Sequence, residues 1–396
     1  MIEAYLHDWA SLLLRWAHLV TGIAWIGASF YFNWLENHLQ RQQQAADTAG
    51  DLWAVHGGGF YYLKKFAVAP DTLPPTLHWF KWEAYATWLT GFALLVVVYY
   101  WNASAYLLEA AGADSDIAPA VAAGLGALFL SWLVYDLLCR SPLAAREALL
   151  GALIGVWFLL LAWSLDLLMS GRAAYMHVGA AIGTVMVANV FRVIIPAQKE
   201  LVRAVEEGRA PDASQGVRAL QRSRHNNYFT LPVLFIMISA HYPATYGHAR
   251  AWLVLALLSA AGVLIRHYFN RRHLPGFQAT PLLAGLALLA GMLLAGLPRA
   301  TGDAQPGSAA VSDAAAFAVV QDRCSGCHSA QPAQAGFNAA PLGVELDSVA
   351  QLRRHADRVY TATVVSRSMP LGNLTGISDS ERELIARWYQ QRNTQE

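Results

Sequence analysis

"DRCSGCHSA", residues 322–330, divides the chain into two parts that obey different physics. Cys324 and Cys327 stand beside His328 in a protein whose one other cysteine is Cys139. Cys-x-x-Cys-His is the attachment sequence of a c-type haem: the two thiols form thioethers with the vinyl groups and the adjacent imidazole ligates the iron. A zinc half-site would need further Cys or His at suitable spacing, and only His355 follows. A thioredoxin-like redox pair would need a βαβ context, which the flanking sequence lacks.

The tail around the motif reads as a small all-helical unit. "DAAAFAVVQDRC" (313–324) supplies a short helix running into the cysteines. "SRSMPLGN" (366–373) offers Met369, the one methionine of the tail, as a second axial ligand opposite His328. Ser378 and Glu381 have capping-box spacing. They open a helix whose Leu384, Ile385 and Trp388 share a face, and Trp388 is expected near Phe317 where the terminal helices cross. "RATGDAQPGSAAVSD" (299–313) has the composition of a flexible linker, which would let the tail dock or swing away.

Upstream the chemistry changes. The 396 residues are 56% hydrophobic and 14% charged, against roughly a quarter charged in a soluble chain. Net charge is +1 with no basic stripe, which excludes nucleic acid as a partner. The apolar residues fall in eight blocks of bilayer-spanning length: 10–34, 79–101, 117–138, 147–168, 173–196, 226–242, 251–269 and 280–298. The sixth, with Pro232 and a polar start, is the weakest. The fold expected is all-α: an eight-helix integral membrane domain over 1–298, a linker over 299–312 and a class I cytochrome c domain over 313–396.

Lys and Arg set the orientation. The connections after spans one, three, five and seven carry Arg41, Lys64, Lys65, Arg140, Arg146, Lys199 and many arginines, whereas those after two, four and six hold Arg172 and Arg250 alone. The odd connections therefore face the cytoplasm. The N-terminus and the tail lie on the outer, periplasmic side, the compartment where c-type haem is attached. No Lys or Arg precedes the first block, so that block is expected to stay in the mature protein rather than act as a cleaved signal.

Polar side chains inside spans are costly and usually functional. An outer group holds Arg15, His18 and His177, with His241 at the end of span six. His18 and His177, each on a small-residue face and at comparable depth, are candidate ligands of a haem b; the plainer reading is ordinary small-residue helix packing. An inner group holds His78, Lys81, Glu83, Arg192, His225, Asn226, Asn227 and His267. Arg192 with Asn226 and Asn227 suits a planar, amide-rich anion, while interfacial anchoring accounts for His78, Lys81 and His267.

"WAHLVTGIAWIGASFYF" (16–32), "GGGFYYLKKF" (57–66), "HVGAAIGTVMVANVFRVIIPAQ" (177–198) and "HNNYFTLPVLFIMISAHYP" (225–243), followed by the Cys-x-x-Cys-His tail, resemble the bacterial membrane-bound urate hydroxylases, the PuuD-type urate oxidases. The resemblance spans the whole chain in motif order. It implies purine catabolism: oxidation of urate to 5-hydroxyisourate with electrons passed to the protein's own haem c, then to a respiratory-chain acceptor. Urate oxidation needs a general base, for which His225 and Glu83 are the candidates. Two rival classes remain: a membrane-anchored cytochrome c or quinol-to-cytochrome module without urate chemistry, and a porphyrin-handling membrane protein.

Overall fold

The computed structural model describes residues 2–41, 47–101, 103–108, 116–295, 310–334, 337 and 339–393. It is mostly helical. The chain opens with α1 (Ile2–His38) and continues through α2 (Trp82–Tyr100), the short α3 (Ala103–Tyr106), α4 (Ala118–Arg140) and α5 (Glu147–Asp166). Then come α6 (Gly171–Glu206), α7 (Ala213–Ser239), α8 (Ala251–Arg271) and α9 (Thr280–Ala295). Among the described residues, six of these helices, α1, α2, α4, α5, α6 and α8, are long and apolar enough to cross a membrane. Of the two other expected spans, α7 begins in a charged stretch with Arg218, Arg222 and Arg224, and α9 has 16 residues. Residues 296–298 of the expected eighth span and 299–309 of the expected linker lie outside the described residues.

Sequence patterning predicts no strands, and the structure adds an antiparallel hairpin, β1 (Thr48–His56) with β2 (Gly59–Phe66). Its cause is local. Gly57 and Gly58 take φ of 58° and 80° between the paired His56 and Gly59. A two-residue turn with both φ positive matches strand twist, and glycine reaches it without a Cβ clash. Cross-strand pairs Trp53–Tyr62 and Val55–Phe60 extend the ribbon. The hairpin is tied to the end of α1 by a close Lys65–Glu36 ion pair and by a backbone bridge between Gln40 and Asp51.

The hairpin defines one end of the bundle; the tail marks the other. In the tail, α10 (Asp313–Arg323) crosses α11 (Asp379–Asn393), with Trp388 1% exposed among Ala316, Val320 and Ile385 and with Phe317 packed on the same cluster. The Trp388 indole N–H donates to Asp313 at 2.8 Å. Ser378 and Glu381 close the capping box, the Glu381 N–H donating to Ser378 Oγ at 3.2 Å and the Ser378 N–H to Glu381 Oε2 at 2.7 Å. The loop carrying Met369 faces the bundle: Leu371–Asn373 pack against α3. A Cβ placed on Gly247 would come within 2.1 Å of the Ser366 carbonyl oxygen.

Candidate functional site

Three consecutive residues near the hairpin end of α7 organise the bundle there. His225 Nδ1 meets the Tyr135 hydroxyl at 2.7 Å, with Cys139 Sγ at 3.8 Å. Asn226 donates to the Met186 carbonyl at 2.9 Å and accepts from Asn189 at 2.8 Å. Asn227 Oδ1 accepts from Arg266 Nε at 2.7 Å and from Asn270 at 2.9 Å, while its amide nitrogen reaches Ser29. Successive helical residues turn about 100°, so these side chains bind α4, α6, and α1 with α8 in that order. Arg222 completes the array: it donates to Asp136 at 2.7 Å and to Asn189 at 3.3 Å, and its guanidinium lies 4.9 Å over the Tyr135 ring.

Beyond Arg266 and Asn270, the two partners of Asn227, lies a pocket of about 170 Å³, lined by Phe30, Asn33, Trp34, Asn37, His38, Arg266, Phe269, Asn270 and Arg272. Asn33 donates to Asn270 Oδ1 at 2.9 Å and Asn37 to the Asn270 carbonyl at 3.1 Å. Both therefore keep a side-chain oxygen for a ligand N–H. Arg266 stacks at 4.0 Å on Phe30 and commits Nε to Asn227, which leaves its two terminal NH₂ groups for an anion. His38 donates from Nδ1 to the Trp34 carbonyl at 2.7 Å. Its Nε2 is left out of that bond, at an exposed position on the pocket wall. The pocket suits one planar bicyclic anion with flanking N–H groups and is too small for a macrocycle. Asn33, Asn37 and Asn270 also line an adjoining cleft of about 2000 Å³ between α5, α7 and α8, which His225 faces.

The residues expected from sequence do not all gather here. Asn227 holds Arg266 and Asn270 of the pocket wall without lining the pocket itself, and Asn226 braces the neighbouring network. Arg192 is exposed on a π turn, Val190–Ile194, and among the described residues makes no hydrogen bond to either asparagine. The wider turn carries it off the face that buries Asn189. Glu83 sits in the first turn of α2 and lines neither cavity. His225 lines the cleft but not the small pocket, with Nδ1 held by Tyr135. Arg266, Asn270, Asn33, Asn37 and His38 were missed. Their signal was present as polar pairs at i,i+4 spacing (33/37 and 266/270) where apolar helices end.

The expected outer pair is also separated. His18 Nδ1 donates to the Thr87 carbonyl at 3.0 Å and packs so tightly on α2 that a Cβ at Gly91 would fall 2.8 Å from its ring. His177 is fully buried: Nδ1 donates to the Ala173 carbonyl at 2.8 Å, and Nε2 accepts from the Tyr100 hydroxyl at 2.9 Å. Gly124 makes room for this pair, since a Cβ there would lie 2.6 Å from the imidazole. Gly91 and Tyr100 are nine residues apart on α2, about 13 Å of helix. With both nitrogens of His177 engaged and the two rings at different levels, these residues do not fit a haem b held between them.

In the tail the residues fit a haem c. His328 Nδ1 donates to the Val344 carbonyl at 2.9 Å, which fixes the ring and leaves Nε2 free for a ligand. Cys324 and Cys327 are both free thiols, the first at the end of α10. Burial pushes the Cys324 thiol up to about 12 and raises Cys327 as well, the opposite of the depressed thiol of a redox Cys-x-x-Cys pair. Among the described residues no three His, Cys, Asp or Glu side chains converge as a metal site. The loop bearing Met369 is pinned by Arg382, which donates to the Met369 carbonyl at 3.0 Å.

Among the described residues, a bundle with six helices long and apolar enough to cross a membrane thus carries a buried polar network and a small polar-lined pocket at one end. The model of the urate oxidase N-terminal family matches residues 4–296 of the 396. The chain belongs to that family. No curated protein and no solved structure matches it.

Proposed function

We propose that this protein is a membrane-bound urate hydroxylase of the PuuD type. It converts urate to 5-hydroxyisourate and delivers the electrons to a haem c on its own tail, and from there to a respiratory-chain acceptor. The observation that carries the reading is the pocket between α1 and α8: Arg266, Asn33, Asn37 and Asn270 set around Phe30 and Trp34, within the region matched by the urate oxidase family. Urate at neutral pH is a planar monoanion with alternating N–H and C=O edges. The Arg266 NH₂ groups take the anionic edge, the Asn33 and Asn37 oxygens accept ring N–H groups, and the aromatic walls hold the ring plane.

Oxidation of urate removes two electrons and adds the elements of water, so a base must activate that water. His38, which lines the pocket with Nε2 left out of the Trp34 bond, is placed for this role; His225, one cleft away, is the second candidate. Cys324, Cys327, His328 and Met369 would hold a haem c, which would supply a one-electron acceptor. The hairpin end, rich in Lys and Arg, is the cytoplasmic side of a bacterial inner membrane, and the N-terminus and tail lie in the periplasm. The test adds urate to purified haem-loaded protein and follows haem reduction. The wild type is expected to be reduced by urate, with reduction slowed or its KM raised about tenfold to a hundredfold in Arg266→Gln, the loss expected for a charge-assisted contact. Reduction by quinol and not by urate would favour an electron-transfer module instead. An unchanged Arg266→Gln would remove the pocket from the reading.

A further inference from the structure

The cleft between α5, α7 and α8 differs from the small pocket it adjoins in both size and chemistry. Its volume of about 2000 Å³ exceeds the roughly 300–1,000 Å³ of a small-molecule site. It runs along α5 from Glu147 to Ala162 and along α8 from Arg271 back to Trp252, about 22 Å and about 28 Å of helix. One leaflet of a hydrocarbon core is about 15 Å deep, so the cleft can take a hydrocarbon chain along its whole length. Glycine keeps the α5 wall open: a Cβ at Gly151 or Gly155, one turn apart, would meet nothing within 4 Å. Further in, Phe158, Leu159, Phe229, Leu255 and Leu264 line the cleft.

The charged lining residues all lie at the hairpin end. Arg41 is taken up by Glu36 at 3.0 Å, whereas Arg224 reaches Glu147 only at 3.7 Å. Arg271 is exposed, lies over the Phe277 ring at 5.8 Å, and has no carboxylate partner among the described residues. One turn along from these two arginines, about 6 Å further in, Tyr228 and His267 meet at 2.8 Å. Whichever way that hydrogen bond runs, one donor is left over: the imidazole Nε2–H if the phenol donates, the phenol O–H if the imidazole does. The order along the cleft is therefore cation, neutral donor, hydrocarbon.

We propose that this cleft binds one anionic phospholipid of the cytoplasmic leaflet, with its phosphate on Arg224 and Arg271, an ester carbonyl at the Tyr228–His267 pair and an acyl chain along Gly151 and Gly155; this rests on the membrane reading and orientation above. Each part of the lipid meets the group that stabilises it. A guanidinium offers phosphate paired N–H donors, and basic pockets between spanning helices on the cytoplasmic side are where anionic headgroups bind. A zwitterionic headgroup brings its own cation to the two arginines and an anionic one does not, so the site selects by charge. Left unfilled, the glycine wall would forfeit the dispersion contacts that an acyl chain restores. Asn33, Asn37 and Asn270 line both spaces, which places the headgroup beside the small pocket.

The test uses the full chain, extracted from membranes in a non-ionic detergent and washed free of loose lipid. Native mass spectrometry and thermal unfolding are followed as dioleoyl-phosphatidylglycerol or dioleoyl-phosphatidylcholine is added. One phosphatidylglycerol per chain is expected to bind, raising the unfolding midpoint more than phosphatidylcholine, which carries the same acyl chains. Arg224→Gln with Arg271→Gln is expected to lower phosphatidylglycerol affinity about tenfold or more, the loss for charge-assisted hydrogen bonds, and to leave phosphatidylcholine binding unchanged. Gly155→Leu, which fills open space, is expected to displace the acyl chain and weaken both lipids; it carries the test if the double variant does not fold. Equal binding of the two lipids by the wild type, or wild-type phosphatidylglycerol binding in the variants, overturns the site. A neutral isoprenoid quinone recovered at one per chain in place of the phospholipid overturns it as well. Protein recovered in the soluble fraction without detergent would remove the membrane reading and the lipid site with it.

Discussion

Asn227 illustrates how much one side chain settles. With about 1% of its surface exposed, it accepts from Arg266 and Asn270 together, so it aims the arginine at the pocket and orients the amide that Asn33 and Asn37 hold. In the tail, Asp313 plays a comparable part for stability. Hydrogen bonds from Arg353, and then from the Trp388 indole, hold its carboxyl below the usual Asp range. A carboxylate with a depressed folded-state value stabilises the fold above its unfolded value of about 3.9, and that contribution is lost as pH falls through the folded value. Asp313→Asn should therefore cost about 1 kcal/mol at neutral pH and flatten the acid side of the tail's stability profile, read by Trp fluorescence in denaturant titrations between pH 7 and 2. A variant whose acid dependence matches the wild type would assign Asp313 no role in it.

At the scale of elements, irregularities carry the site. The π turn Val190–Ile194 in α6 carries the exposed Arg192, and the π turn Val96–Tyr100 in α2 ends on two tyrosines whose rings lie against His177. The hairpin matters because it holds the end of α1, where Asn33, Asn37 and His38 lie, through Glu36–Lys65 and Gln40–Asp51. Gly58, at φ 80°, holds a left-handed backbone that a β-branched side chain strains. Gly58→Val should weaken the turn by about 1–2 kcal/mol, seen as faster amide hydrogen exchange in 48–66 and at the end of α1, with α4 and α6 unaffected. Unchanged protection of the α1 end would mean that the hairpin does not brace the pocket.

For the whole molecule, the prediction is topological. An alkaline-phosphatase reporter fused after Glu396 should be active, since the enzyme needs an oxidising periplasm, and one inserted after Gly208 should be silent. The reverse pattern would invert every assignment of inner and outer made from Lys and Arg. The structure adds that the tail is not merely tethered: its Met369 loop sits on α3, with Ser366 against Gly247, so the face presented to the bundle is the one nearest the expected haem ligand.

The sequence by itself determined the long apolar helices, the charge asymmetry of their connections and the Cys-x-x-Cys-His tail, because periodicity, composition and fixed motif spacing are properties of short segments. The capping box at Ser378 and the burial of Trp388 in the cluster on which Phe317 packs were legible for the same reason. Within the site, Asn226 and Asn227 could be singled out because two adjacent amides in an apolar span demand partners. Which partners they find could not be read locally. Arg266 and Asn270 come from a helix 39 and 43 residues away, and Asn33 and Asn37 from one nearly 200 residues away. Only the packing of α1, α7 and α8 brings them to one pocket. The same holds for His18 and His177: equal in chemistry on the sequence, they were separated by the tertiary structure, which set one ring against Gly91 and gave the other to Tyr100. Helix phase, shifted by a π turn, and helix neighbourhood are collective outcomes of packing, and they decide which of several equivalent polar residues become a site.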